Sequence, residues 1–182
     1  MKACLIVIDM QNDFLDRLQA PERRRLVDNT NALIASFRRA GLKVIWVYQT
    51  FKADLSDAFL EMRDKNISVV IEGTHGARLA DGMDARSTDQ QVLKKRYSAF
   101  FETELDSILS EHQPEHLVIA GVNTHACVRM TAIDAYQRDH LVILAEDCIG
   151  SPQAHHAEIS LAYLKDKIAR VMPGEEIARL IG

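Results

Sequence analysis

Short, uninterrupted apolar runs recur along this chain between longer amphipathic stretches, and that alternation restricts the fold more than any other feature. The runs at 3–8, 42–48, 116–121 and 140–145 are rich in β-branched residues and do not alternate apolar with polar. Weaker runs cover 91–94 and 168–172. Strands of this kind are buried on both faces, as in a parallel sheet covered by helices. Between them, 22–40 places Leu26, Thr30, Leu33, Ile34 and Phe37 on one helical face, with Arg23, Arg24, Arg38 and Arg39 elsewhere and Gly41 as the stop. Similar helical patterns cover 98–111, 124–138, 153–166 and, after Pro173, 174–181. No Pro- or Gly-rich linker interrupts the series, so one α/β domain over 1–182 with helices on both sheet faces is predicted. The segment 49–90 is less regular: a helix is predicted over 54–65, followed by an irregular stretch containing Gly73, Gly76 and Gly82. A loop of that length beside the strand ends is more often functional than idle.

Charge and cysteine usage narrow the function. The 22 basic and 26 acidic residues give a net charge of −4, which does not favour a protein that grips nucleic-acid phosphates. The run Glu22-Arg23-Arg24-Arg25 reads as a solvated helix face. Three cysteines, Cys4, Cys127 and Cys148, are an odd set without C-x-x-C spacing, so neither a disulfide framework nor a zinc site is expected and at least one thiol stays free. The first apolar run stops at Asp9, too short for a signal-peptide core, and no stretch approaches the roughly 18 residues of a membrane span. A cytoplasmic protein with no membrane partner is the expectation.

In open parallel sheets, ligands bind beyond the carboxyl ends of the strands. The first run ends on Asp9, an acid that would be costly to bury without a partner. The run at 91–94 ends on Lys94, followed by Lys95-Arg96-Tyr97-Ser98. The run at 116–121 leads into Val122-Asn123-Thr124-His125-Ala126-Cys127, with Asn123 or Thr124 as a helix N-cap. Cys127 then lies in a first helical turn, where free N–H groups and the helix dipole favour the thiolate. Asp9 is an available proton acceptor and Lys94 a cation to tune the pair. Each also has a plainer reading: Cys127 as a small buried residue, Asp9 as a turn cap, Lys94 as surface. Cys4, in mid-strand, and Cys148, in a loop after the fifth strand, read as structural.

Three separated motifs, LIVIDMQNDF at 5–14, VLKKRYSAF at 92–100 and VIAGVNTHACVRMTAIDAYQRD at 118–139, resemble the isochorismatase-like cysteine hydrolases. The resemblance implies a three-layer α/β/α sandwich around a six-stranded parallel sheet and an Asp9-Lys94-Cys127 triad, with Lys95 in a variable position. It also implies a cis Val122–Asn123 peptide that turns the Asn123 N–H toward the Cys127 N–H to form an oxyanion hole. The family's nicotinamidase branch resembles a metal enzyme with an Asp-x-His motif after the second strand. Here 46–56 contains no histidine and the next is His75, so neither a metal nor another cofactor is expected. The adjacent His155 and His156 would point apart on a helix. Many members of the ether-cleaving branch carry glycine where this chain has Cys127. Its retention implies hydrolysis of a C–N bond in a small amide, carbamoyl or ureido compound through a thioester. Phe14, Gln49, the 51–82 segment and His125 are candidate substrate contacts, with Gln49 equally able to serve strand-end bonding and His125 to be structural. Two alternatives stay open: an ether hydrolase using Asp9 as acid, and a non-catalytic thiol-sensing or binding protein. Similar proteins are commonly homo-oligomers, so a dimer or tetramer is expected.

Overall fold

Six parallel strands carry the chain, and their order explains where its polar residues can gather. The computed structural model describes all residues, Met1–Gly182. The strands are β1 (Ala3–Ile8), β2 (Lys43–Gln49), β3 (Gln90–Lys94), β4 (His116–Val122), β5 (Leu141–Gly150) and β6 (Ala169–Met172), in the spatial order β3-β2-β1-β4-β5-β6. The central β1 is buried at every residue, whereas the edge strands β3 and β6 are partly exposed. Alternate residues of β1 divide the core: Leu5 and Val7 face one helical layer, Cys4, Ile6 and Ile8 the other. The first layer holds α2 (Ala20–Arg39) and α7 (Gly174–Ile181), the second α4 (Leu105–His112), α5 (Arg129–Tyr136) and α6 (Ala154–Lys167). This is the α/β/α sandwich expected from the sequence.

Several element bounds differ from the sequence expectation, for one recurring reason. Helix α4 begins at Leu105 rather than 98, because Ala99 and Phe100 are buried in turns that mimic a helical apolar period. Only Leu60–Lys65 of the 54–65 stretch is helical (α3); Leu55, buried at φ +58°, belongs to a preceding turn. The stretch 124–138 opens with a wide π-type turn, Thr124–Val128, before α5 continues. Cys148 lies inside β5, not in a loop after it. A short helix, α1 (Asn12–Leu15), has no counterpart in the apolar pattern.

The order in which successive strands are laid down reverses across the parallel β1/β4 pair, and the connections leaving the two strand ends diverge there to leave a crevice. Gly121 makes the pairing possible. It lies opposite Ile8 at φ +117°, and a Cβ on it would sit 2.0 Å from the Ile8 carbonyl oxygen. Gly121→Ala is therefore expected to destabilise the fold by about 3 kcal/mol or more, through both backbone strain and overlap. Gly41→Ala, at φ +70° with nothing within 4 Å, should cost only about 1–2 kcal/mol. Urea unfolding of the two variants side by side checks the contrast, and equal losses would rule out the close approach as the cause.

Candidate active site

Three strand ends deliver side chains to one buried point at the crevice. Asp9 follows β1 at φ +52°, a conformation aspartate tolerates better than most residues, and its N–H bonds the Val47 carbonyl at 2.8 Å. Lys94 closes β3, two strands away, and only a long side chain can pass the end of β2 to reach Asp9. Its Nζ lies 2.8 Å from Asp9 Oδ2 and 3.3 Å from Cys127 Sγ, and donates to the Arg96 carbonyl at 3.1 Å. The ammonium thus has three partners while being fully buried; Asp9 is 1% and Cys127 3% exposed. Lys95 instead turns outward to Asp57, at 2.8 Å, and to the Thr50 carbonyl.

Burial sets the charge states. It raises the Asp9 pKa, against the opposing pull of Lys94 and the Cys127 thiol. It also works against the Lys94 charge, but Asp9 and Cys127 outweigh it and the ammonium is held more firmly than in water. The Cys127 thiol is pushed up to about 12, by burial first and by the Asp9 charge second, with Lys94 opposing. The helix-end argument for a resting thiolate is therefore corrected: desolvation and a neighbouring carboxylate outweigh a single wide turn, and the resting sulfur keeps its proton.

A cleft of about 400 Å³ opens above Cys127. Phe14, Gln49, Asn123 and His125 line it, together with Phe51, Phe59 and Tyr97. Gln49 lines the cleft, and its Nε2 donates to the Arg96 carbonyl at 3.4 Å. The Val122–Asn123 peptide is cis. The Asn123 N–H has no acceptor within the protein, and Asn123 Oδ1 is buried without a partner. Tyr97, which the sequence did not single out, stacks on Phe59 of the 51–82 segment with ring centroids 4.6 Å apart to form one wall.

The polar run after Asp9 has a role that sequence reasoning missed. Gln11 accepts the Gln49 N–H at 2.9 Å and donates to the carbonyls of Gln49 (2.8 Å) and Ala77 (2.7 Å). Asn12 donates to the His75 carbonyl at 3.1 Å, and Asp13 accepts the Val70 N–H at 2.6 Å. Three consecutive polar residues after a buried strand were the available signal. They fasten the 66–80 loop over the cleft.

No three His, Cys, Asp or Glu side chains converge into a set able to hold a metal ion. Among the residues lining the cleft only Glu61, His125 and Cys127 carry groups that commonly bind metals, and they form no converging set, so the residues present do not fit a divalent cation. No helix is long and apolar enough to cross a membrane.

The strand ends of a parallel α/β sheet thus bring an acid, a lysine and a cysteine together at the floor of one cleft. The family model described as the isochorismatase domain matches residues 3–176, and the chain belongs to the isochorismatase family of hydrolases. It is 37% identical over 166 residues, covering 85% of each chain, to a probable inactive nicotinamidase of Arabidopsis thaliana. It is 29% identical over 170 residues, 80% of this chain and 72% of the relative, to the ureidoacrylate amidohydrolase RutB of Klebsiella pneumoniae. The solved structure of N-carbamoylsarcosine amidase from Thermoplasma acidophilum superposes with a TM-score of 0.84 at 30% identity, covering 96% of this chain and 98% of that one.

The buried thiols also make the fold alkali-sensitive. Cys127 and Cys4 are both pushed from 9.0 to about 12, so the unfolded chain releases these protons first. Their contribution is complete below pH 9 and is lost as pH rises from 9 toward 12, at about 1.4 kcal/mol per pH unit for each thiol. Urea midpoints at successive alkaline pH values should fall, and the slope should be shallower in Cys4→Ala. An unchanged slope in that variant would contradict the assignment.

Proposed function

We propose that this protein is a metal-independent cysteine hydrolase that cleaves the C–N bond of a small amide, carbamoyl or ureido compound through a thioester on Cys127. The observation that carries this reading is the single buried ammonium, Lys94 Nζ, set against both Asp9 Oδ2 and Cys127 Sγ at the floor of the cleft. The names of the amidohydrolase and amidase relatives support the bond type.

In this reaction the Cys127 thiol passes its proton to Asp9 as sulfur attacks the carbonyl carbon. A base made harder to ionise by burial is a better match for a reluctant thiol than an exposed aspartate, since proton transfer is easier between groups of closer pKa. The Asn123 and Cys127 N–H groups hold the oxyanion. Asp9 returns its proton to the leaving nitrogen, which departs as an amine or ammonia and leaves the acyl group on sulfur. Water, deprotonated by Asp9, then attacks the thioester; the acid product leaves and the thiol is restored. Lys94 remains an ammonium throughout and balances the negative charge as it moves between carboxylate and sulfur. Phe14, Gln49 and His125 contact the rest of the substrate. We read 1–182 as one catalytic domain acting in the cytoplasm as a homo-oligomer, dimer or tetramer.

Intact-mass trapping with a panel of carbamoyl compounds, ureido compounds and simple amides tests the scheme. A Cys127 adduct whose mass matches the acyl group is expected, and Cys127→Ala should lower turnover by on the order of 10³-fold or more. Near-normal turnover by Cys127→Gly would instead favour ether cleavage with Asp9 as acid, and sulfur oxidation without hydrolysis would favour a thiol sensor. Because Asp9 must be ionised to take the proton, activity should fall as pH drops through its raised pKa. The acid limb is expected above the ordinary aspartate value of 3.8. A limb at or below that value would exclude Asp9 as the base.

A further inference from the structure

His125 stands two residues before the thiol and lines the same cleft, and its ring is held by a residue with no part in the scheme above. Its Nδ1 lies 2.8 Å from the hydroxyl of Ser151, which follows β5 and is 8% exposed. The same hydroxyl oxygen accepts the Gln153 N–H at 3.1 Å. The Gln153 N–H takes one lone pair of that oxygen and leaves the hydroxyl its proton to donate; given to Nδ1, that proton puts the proton of the neutral ring on Nε2. Burial, and then the His156 ring 5.6 Å away on α6, lower the His125 pKa and favour this neutral form. In that tautomer the Nε2–H has no protein partner and is a donor available to the cleft that His125 lines.

The charges around the cleft have one remainder. Lys94 is matched by Asp9 on its floor, and Glu61 on its wall is paired with Lys65 at 2.7 Å. Arg17, one turn beyond Phe14, lines the cleft with no ion-pair partner. A fixed neutral donor and an unpaired guanidinium around one small cleft suit an anion with planar acceptor oxygens.

We propose that Ser151 is a positioning residue that fixes His125 as an Nε2–H donor, and that His125 and Arg17 together receive a carboxylate borne by the substrate. The substrate class of the preceding section thereby narrows to amides or ureido compounds carrying a carboxylate, and this inference rests on that reading for the bond cleaved but not for the binding. Binding can be read without turnover in the Cys127→Ala protein, by calorimetry with two matched pairs: N-carbamoylglycine against n-propylurea, and succinamate against pentanamide. In at least one pair the carboxylate compound should bind about tenfold or more tightly. Arg17→Gln, an exposed substitution that leaves the core untouched, should remove most of that preference. Ser151→Ala should reduce it and Ser151→Thr, which keeps the hydroxyl, should restore it. Long-range proton–nitrogen correlation spectra of His125, assigned by comparison with His125→Gln, should place the proton on Nε2 and show mixed tautomers in Ser151→Ala. Equal binding or no binding in both pairs, a preference untouched by Arg17→Gln, or a proton on Nδ1 would each overturn the proposal. A carboxylate preference without any Cys127 adduct in the wild type would instead overturn the hydrolase scheme and leave this subsite standing.

Discussion

One buried ammonium governs the site. Lys94 contacts Asp9, Cys127 and the Arg96 carbonyl with no exposure to water, and a lone charge there would cost several kcal/mol. The attraction to Asp9 offsets part of that cost, and the Arg96 carbonyl and the sulfur take up the remaining protons. A pair arranged in this way adds little to stability on its own, since apolar residues of similar volume often do as well. Its consequence is chemical: three groups that would titrate separately in water behave as one system in which a proton can move between sulfur and carboxylate beside a constant positive charge.

That system depends on two backbone approaches far apart in sequence. Gly121 lets β4 run against the end of β1, so that Asp9 and the Cys127 turn leave adjacent strands at the same height. The Gln11-Asn12-Asp13 side chains then fasten the 66–80 loop to the same strand end through carbonyls and an N–H of that loop. Gly76 completes the second approach, because a Cβ there would overlap the Asp13 carboxylate. Burial of the ammonium and closure of the cleft thus share one support, the first turn after β1. Changes to these anchors should act on charge states at a distance, by admitting water to Lys94 rather than by touching it.

The layered fold is legible in the sequence because its signals are local. Continuous apolar runs mark β1, β4 and the first half of β5, and Pro173 marks the start of α7. Asp9, Lys94 and Cys127 are legible as candidates because each closes or follows such a run, where a parallel sheet presents its ligands. What fails is periodicity in buried turns. Leu55, Ala58, Ala99 and Phe100 are apolar because the turns that carry them are packed into the core, and their spacing imitates a helix. Equally illegible are the long-range polar contacts of Gln11 and of Ser151, whose partners lie 26 or more positions away and follow no period.

The charge state of the thiol lies between these cases. Placement after a strand argues for a thiolate, and that rule holds when the helix end is open to solvent. Here Cys127 is 3% exposed with a carboxylate beside it, and both effects favour the protonated sulfur more than the adjacent ammonium favours the anion. Depth of burial is a property of the assembled layers and no local pattern encodes it. A protonated resting thiol also has a functional logic. It is a poor target for oxidants and stray electrophiles, and in the proposed reaction it becomes nucleophilic only when a carbonyl carbon is positioned to accept the electron pair as Asp9 accepts the proton. Reactivity is then conditional on occupancy of the cleft, which makes the groups that orient the substrate, rather than the intrinsic acidity of Cys127, the determinants of which bond is broken.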